Sequence, residues 1–215
     1  MSEGLREQNK RDKRERLRSA ASDLFESVGF EETTTRAIAE LAGVAAGTVF
    51  LYAEDKADLL CLVFHDDAEA ALAKSIATMP RSRPLITQLI HLFRGAFGVY
   101  GKHPRAARPF LGALHASRGR NAIAMNTLTM TFIMTMADLV EAAKTRGEVD
   151  DEIEPLLAAQ NFFALYYFAL TTWVSGLSTL ENALDPTLRQ AVLLQLRGLM
   201  PTPKPKNKGH KEKRR

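Results

Sequence analysis

The sequence predicts an all-α protein, on three observations. No stretch alternates apolar and polar residues over a useful length, so nothing reads as a half-buried strand. Apolar residues recur instead at three- and four-residue steps, segment after segment, as on one face of a helix. The breaks between segments are marked by glycine and proline: Gly29, Gly43, Pro80 to Pro84, Gly101 to Pro104, and Gly147. About nine helices are expected. Residues 1–53 form an N-terminal three-helix domain with a helix–turn–helix, residues 54–200 a C-terminal helical domain, and residues 201–215 a disordered basic tail.

Taken in order, residues 1–9 carry no apolar stripe and read as disordered. From Lys10 a helix places Leu17, Ala20, Ala21, Leu24, Phe25 and Val28 on one face, and Gly29 stops it. Thr34 is placed to cap the next helix with its hydroxyl oxygen. Ile38, Leu41 and Ala42 follow on one side, and Gly43 ends the helix because a left-handed residue without Cβ carries no steric penalty. Val44 fills the core after the turn, and Ala46–Tyr52 form a second short helix with Val49 inward. Asp55 caps a helix from Lys56 to about Thr78, and another runs from Leu85 to about Tyr100. Pro109 keeps the following helix short or kinked. A long Met- and Thr-rich helix spans about Asn121–Lys144, with two more near Pro155–Leu180 and Pro186–Leu199.

Charge is distributed more tellingly than its total of +4 suggests. Residues 1–18 hold seven Lys/Arg against four acids, and residues 201–215 hold seven against one, so the intervening body is acidic. Basic ends on an acidic body fit local nucleic-acid contact, although a soluble surface with basic tails has the same composition. The tail leaves two uses open, non-specific DNA affinity or solubility. Cys61 is the single cysteine, which excludes an intrachain disulfide framework; between Leu60 and Leu62 it reads as a packed thiol. The N-terminus lacks a signal-peptide core, so a cytoplasmic protein is expected. Pro155–Leu180 has no Asp, Glu, Lys or Arg and meets the length of a membrane span. Its Gln160, Asn161, Thr171, Thr172 and Ser175, and the isolated Gly176, favour a helix buried on all sides instead.

A tight helix–turn–helix serves to set its second helix in a DNA major groove. Between Ala45 and Tyr52 there is no Arg, Lys, Asn or Gln, hence no bidentate donor to a purine edge. Thr48 can bond a base or phosphate, Ala46, Phe50 and Leu51 can touch thymine methyls, and Tyr52 offers a phenol to the backbone. Arg36 is the one side chain of this region able to fork onto guanine. Basic residues Arg11, Lys13, Arg14, Arg16 and Arg18 of the first helix are placed to meet phosphates in part.

Gly29-Phe30, Thr33-Thr34, Ile38-Ala39, Ala42-Gly43-Val44, Gly47-Thr48, Tyr52, Lys56 and Leu59-Leu60 occur here in an order and spacing that resembles the TetR (tetracycline repressor) family of bacterial transcriptional regulators. The resemblance covers roughly residues 10–65; beyond it only length and helical character agree. Phe50, where members often carry Tyr, and Ala53, where they often carry a larger apolar residue, depart from the pattern. The resemblance implies that Thr34, Thr35, Arg36, Ala46, Gly47, Thr48, Phe50, Leu51, Tyr52 and Lys56 face DNA, with Lys56 on a phosphate. It also implies that residues 54–200 bind an effector and dimerise, the last two long helices pairing with those of a second subunit. The implied protein is a nucleoid-associated homodimeric repressor, outside the membrane, released from a near-palindromic operator by a small, largely apolar effector. The alternative is a protein-interaction module with little sequence-specific DNA binding.

Ligand-binding candidates are the aromatic and soft residues of the middle helices: Phe93, Phe97, Tyr100, Phe110, Met130, Met134, Phe163, Tyr166, Tyr167 and Trp173. Singly, each reads more simply as core; collectively, Met130 and Met134 one turn apart beside many rings suit an adaptable pocket. No catalytic constellation, cofactor-binding motif or metal-ligand spacing is present, so no enzyme activity, cofactor or metal is expected. His65-Asp66-Asp67 reads as structural, and Gly95, Gly98 and Gly101 as sites of close helix packing.

Overall fold

The computed structural model describes residues 2–200; the basic tail 201–215 lies outside the described residues. Among the described residues every regular element is helical. Helix α1 spans Ser2–Ser27, α2 Thr35–Leu41 and α3 Lys56–Ala77, with a 3-10 helix, Ala46–Leu51, between the last two. There follow α4 Leu85–Lys102, α5 Pro104–Ala116, α6 Arg120–Thr145 and α7 Pro155–Val174. A single turn, α8 Leu180–Asn182, and a π-helical segment, Ala183–Leu188, lead into α9 Arg189–Leu199.

Two elements differ from the sequence reading. Residues from Ser2 onward are helical, not disordered. Glu, Gln, Lys and Arg are good helix formers, but without apolar spacing they leave no pattern to recognise. The recognition segment is 3-10 rather than α: Ala45 supplies no side-chain cap, and Thr48 N donates to Ala45 O over three residues at 2.8 Å. Boundaries elsewhere fall close to expectation, except that α7 stops at Val174, where Gly176 turns left-handed at φ 77°.

The helix–turn–helix closes as the residues dictate. Thr34 Oγ1 accepts from Ala37 N at 3.1 Å and starts α2. Gly43 adopts φ 64° and ends it. Leu17, Ala21, Phe25, Ile38, Ala39 and Val49 are buried together, whereas Leu41 and Val28, expected inward, point to solvent. Each of these two sits at a helix end, where the last turn has no facing helix. Thr33 Oγ1 donates to Gly29 O at 2.6 Å and fixes the α1–α2 turn.

Helix α3 forms the central post, packed against α1, α4, α5 and α6. Its residues Leu59–Phe64 are buried without interruption, because helices cover it on every side. Gly95 is the contact point of α4 with α3: a Cβ there would collide with Ser75. Gly101 similarly faces Leu180, while Gly98 looks onto open space and needs no such account. Burial pushes the Cys61 thiol up to about 12, with Asp58 and Asp55 adding to the effect.

Two devices fasten the helix–turn–helix to the rest. From α5, Arg105 Nη1 donates to the α1 carbonyls of Glu26 and Ser27 at 2.8 and 2.6 Å, while the Glu26 carboxylate accepts from Ala106 N at 2.9 Å. Each helix terminus thus satisfies the other. The second device is the buried carboxylate of Asp58 at the start of α3. It accepts from Glu54 N at 3.1 Å, Asn121 N at 2.9 Å, Asn121 Nδ2 at 3.0 Å and Ala122 N at 3.0 Å. It therefore caps the N-terminus of α6, where unpaired N–H groups and the helix dipole favour an anion. Gly119 lies so close that any Cβ would overlap the Asp58 carboxylate.

Asp58→Asn, which turns an amide toward these donors, is expected to destabilise the fold by about 1.5–3 kcal/mol, the range for hydrogen bonds to a charged group. Urea denaturation checks this. Native Cys61 should stay unmodified by iodoacetamide at pH 8 under conditions that label the unfolded chain, since the thiolate is the reactive form.

Candidate functional site

Two surfaces have the makings of a site, and the first is the helix–turn–helix. Phe50 and Leu51 are 54% and 67% exposed, an arrangement that a folded core would not select, and Ala46 and Gly47 beside them are open to solvent. Thr48 and Thr35 are half-buried, and the exposed Thr34 is engaged as the α2 cap. Arg36 projects from the first turn of α2, its side chain 83% exposed, with Nε donating to Glu40 Oε1 at 3.0 Å. So exposed a pair is weak and readily exchanged for another partner.

Two candidates from this region are occupied within the chain. Tyr52 is buried, and its hydroxyl donates to Lys10 O of α1 at 3.2 Å. Lys56 Nζ donates to Phe30 O at 2.7 Å and Glu31 O at 3.0 Å, and lies 4.4 Å from the centre of the Phe30 ring. Both hold the helix–turn–helix together; sequence spacing shows their position, not which acceptor is nearer.

Of the basic residues on α1, Arg14 and Arg18 turn toward the body. Arg14 Nη2 donates to Asp66 Oδ1 at 2.7 Å, and Arg18 lies 3.9 Å from both Asp66 and Asp67. His103 Nε2 is 3.0 Å from Asp67 Oδ2, and His65 Nδ1 3.1 Å from Asp66 Oδ1. The His65-Asp66-Asp67 run is thus an ionic hub joining α1, α3 and the α4–α5 turn. At Asp66 burial opposes ionisation, but hydrogen bonds from His65 and Arg14 outweigh it and hold the carboxyl well below the usual range. Asp67 is also lowered: burial opposes, while His103 and Lys102 favour the charge.

The second surface is a cavity of about 270 Å³ enclosed by α3, α4, α5, α6 and α7. Phe64, Leu72, Leu92, Leu111 and Phe132 line its apolar wall, and Tyr100 and Tyr166 add phenols. His115 and Asn126, both exposed, mark its opening between the end of α5 and the start of α6. Of the ten candidates read from sequence, Tyr100, Phe163, Tyr166 and Tyr167 line it. The other six do not. Phe93, Phe97 and Phe110 are spent in the core, Phe93 stacked on Tyr166 at 5.4 Å and Phe110 on Phe64 at 4.0 Å. Met130 and Met134 face outward, 52% and 47% exposed, and Trp173 is half-buried six residues beyond Tyr167 on α7. An i,i+4 spacing shows that two side chains share a face, not which face.

Helix α6 joins the two surfaces. Met125, Asn126, Leu128, Thr129 and Phe132 line the cavity from one stretch of it. At its N-terminus, Arg120 Nη1 donates to Leu51 O at 2.9 Å and Asn121 Nδ2 to Tyr52 O at 2.9 Å. The carbonyl end of the 3-10 recognition helix is therefore gripped by the helix that floors the cavity. Sequence reasoning missed Arg120, Asn121 and Asp58. Asp58 shows in sequence only as an acid in the first turn of α3, and its α6 partners lie more than 60 residues away.

The depressed carboxyls of the hub give a pH dependence. A carboxyl with a lowered folded pKa contributes stability above its unfolded value of about 3.9 and loses it as the pH falls toward the folded value. Asp66→Asn is expected to melt lower than the unsubstituted protein at pH 7, with the gap narrowing below about pH 4. Circular-dichroism melts between pH 7 and 3 check this.

Residues 17–61 match the family described as bacterial regulatory proteins, tetR family. The chain is also 24% identical over 166 residues to the fatty acid metabolism regulator protein of Bacillus subtilis (strain 168), covering 77% of this chain and 85% of that protein. Its fold matches Thermus thermophilus FadR, a TetR-family transcriptional repressor solved with lauroyl-CoA, with a TM-score of 0.68 and 21% identity. That match covers 89% of this chain and 98% of the other. Bacillus subtilis FadR in complex with stearoyl-CoA matches with a TM-score of 0.63 and 20% identity, over 85% and 95% of the two chains. Residues 17–61, which hold the helix–turn–helix, match the tetR family of bacterial regulatory proteins, and the chain as a whole shares the fold of these regulators.

Proposed function

We propose that this protein is a homodimeric, cytoplasmic transcriptional repressor that acts on the nucleoid and leaves its operator when an acyl thioester fills the cavity. The observation that carries this reading is α6, which lines the cavity and hydrogen-bonds the end of the recognition helix. Residues 1–53 act as the DNA-binding domain and 54–200 as the effector and dimer domain. The chemistry is one of binding alone; no group transfer is assigned to it.

On DNA, Arg36 releases Glu40 and forks onto a guanine, while Ala46, Thr48, Phe50 and Leu51 meet thymine methyls and phosphates. Thr34, Thr35, Gly47, Tyr52 and Lys56 shape this face, the last two as internal clamps. Dimerisation uses the apolar residues left bare on α7 and α9, among them Leu157, Phe168 and Leu194, 58%, 64% and 70% exposed. A two-fold dimer sets its recognition helices about one DNA turn, roughly 34–36 Å, apart on a near-palindrome. The effector reading rests on the apolar lining of the cavity together with the acyl-CoA complexes of the fold relatives.

A second reading has its own observation. The recognition segment Ala45–Tyr52 carries exposed Phe50 and Leu51 and no Lys or Arg of its own, which would suit a protein partner.

The experiment is fluorescence anisotropy with DNA from upstream of the protein's own gene against scrambled DNA, across a salt series. A preference that survives physiological salt and collapses on adding lauroyl-CoA is expected. Equal, salt-abolished binding to both DNAs moves the weight to the protein-interaction reading. Arg36→Ala is expected to lose about 1–3 kcal/mol of discrimination at one base pair per half-site; an unchanged preference in a competition titration would sink its role.

A further inference from the structure

Of the residues that line the cavity, only His115 and Asn126 are exposed. They stand on different helices, His115 at the end of α5 and Asn126 in the second turn of α6, and form the rim of the opening. Behind them the lining is buried or half-buried, and no Lys, Arg, Asp or Glu belongs to it. Thr129, the next polar residue of α6 in the lining, is spent on its own helix, its Oγ1 donating to Met125 O at 3.0 Å. The cavity is therefore an apolar chamber with a neutral, polar rim.

A hydrogen bond fixes the orientation of His115. Its Nδ1 lies 2.8 Å from Leu111 O, one turn back on α5. A carbonyl oxygen only accepts, so Nδ1 carries the proton, and in the neutral ring Nε2 keeps its lone pair as an acceptor. Because Nδ1 is turned back onto α5, Nε2 on the far edge of the ring points away from that helix. The Tyr167 ring flanks the imidazole edge-on at 6.1 Å. Asn126 supplies the complementary chemistry, a side-chain amide with two N–H donors and a carbonyl acceptor. A ligand that passes the rim meets a fixed acceptor on one helix and a donor on the other. The neutral group that satisfies both is a secondary amide, with one N–H and one C=O.

We infer that the rim reads an amide next to the thioester, its N–H donating to His115 Nε2 and its carbonyl accepting from Asn126 Nδ2. This rests on the acyl-thioester reading above and narrows it to thioesters of an N-acylated cysteamine arm, in which an amide follows the sulfur by two methylenes. The acyl chain fills the apolar chamber, and the amide stops at its mouth. Contact with the arm takes water from Nε2, so a carrier with no N–H at that point leaves the acceptor unpaired. His115 and Asn126 are specificity-determining residues for the carrier, which is recognised without its phosphates.

The test is isothermal titration of the full chain at about pH 8, where histidine is neutral. The ligands are S-lauroyl-N-acetylcysteamine and S-(2-acetoxyethyl) thiolaurate, which differ only in an N–H replaced by an oxygen. The unsubstituted protein is expected to bind the amide at least about fivefold more tightly. In His115→Phe, checked for an intact cooperative melt, that ratio is expected to fall to one or below. Asn126→Ala is expected to weaken both ligands alike, because both keep the carbonyl. Equal affinities for amide and ester in the unsubstituted protein, a ratio that survives His115→Phe, or unchanged affinities in Asn126→Ala overturn the inference and leave the acyl-thioester reading standing. Binding of lauroyl-CoA without binding of the cysteamine amide does the same, since the carrier is then held by its phosphates. If lauroyl-CoA also fails to bind, the acyl-thioester reading falls and this inference with it.

Discussion

The buried carboxylate of Asp58 is the constraint on which the rest of the architecture depends. An acidic group out of contact with water persists only if its lone pairs are filled, and here four N–H donors fill them. One comes from the connector after the recognition helix and three from the start of α6. The arrangement has only one good geometry, so the entry to α3, the end of the helix–turn–helix and the N-terminus of α6 are held in fixed register. Gly119 records the tightness of that junction, since no side chain can be added there without displacing the carboxylate.

That register gives the cavity its leverage. A ligand between α3, α4, α5, α6 and α7 presses on Met125, Asn126 and Thr129 of α6, one to two turns from Asn121. Any shift of α6 along its axis must break or carry with it the bonds to Leu51 O and Tyr52 O. Carrying them moves the recognition helix; breaking them frees the exposed Arg120 and leaves the buried Asn121 amide with Asp58 alone. An effector shifts a DNA-binding equilibrium only by its differential affinity for the two arrangements, and under the proposed function this junction is where that difference would be stored. The α1 hub around Asp66 and Asp67 and the Arg105–Glu26 caps then act as the fixed side of the hinge.

Much of this was legible in the sequence where the causes are local. Thr34 as cap, Gly43 as left-handed stop and Val49 as the inward residue follow from chemistry acting within a few residues, and the helix order follows from periodicity and breakers. The family resemblance was legible for the same reason, because its motif is a run of such local requirements between Gly29 and Leu60. What stayed hidden depends on partners distant in sequence. Tyr52 and Lys56 look like DNA contacts until α1 and the Phe30 carbonyl come within reach. Met130 and Met134 are as suited to a pocket as Met125, and only the rotation of α6 decides that Met125 faces inward. Asn121 carries no motif at all, yet it bonds both Asp58 and Tyr52.

The measurement that bears most directly on this account is the coupling between effector and operator in Asn121→Ala. Operator affinity would be measured with and without saturating lauroyl-CoA, and the ratio compared with that of the unsubstituted protein. Coupling of this kind amounts to about 5–150-fold. The account predicts that the ratio collapses toward one in Asn121→Ala while DNA and thioester each still bind. A ratio equal to that of the unsubstituted protein would contradict it, and would place the transmission in α3 or the α1 hub instead.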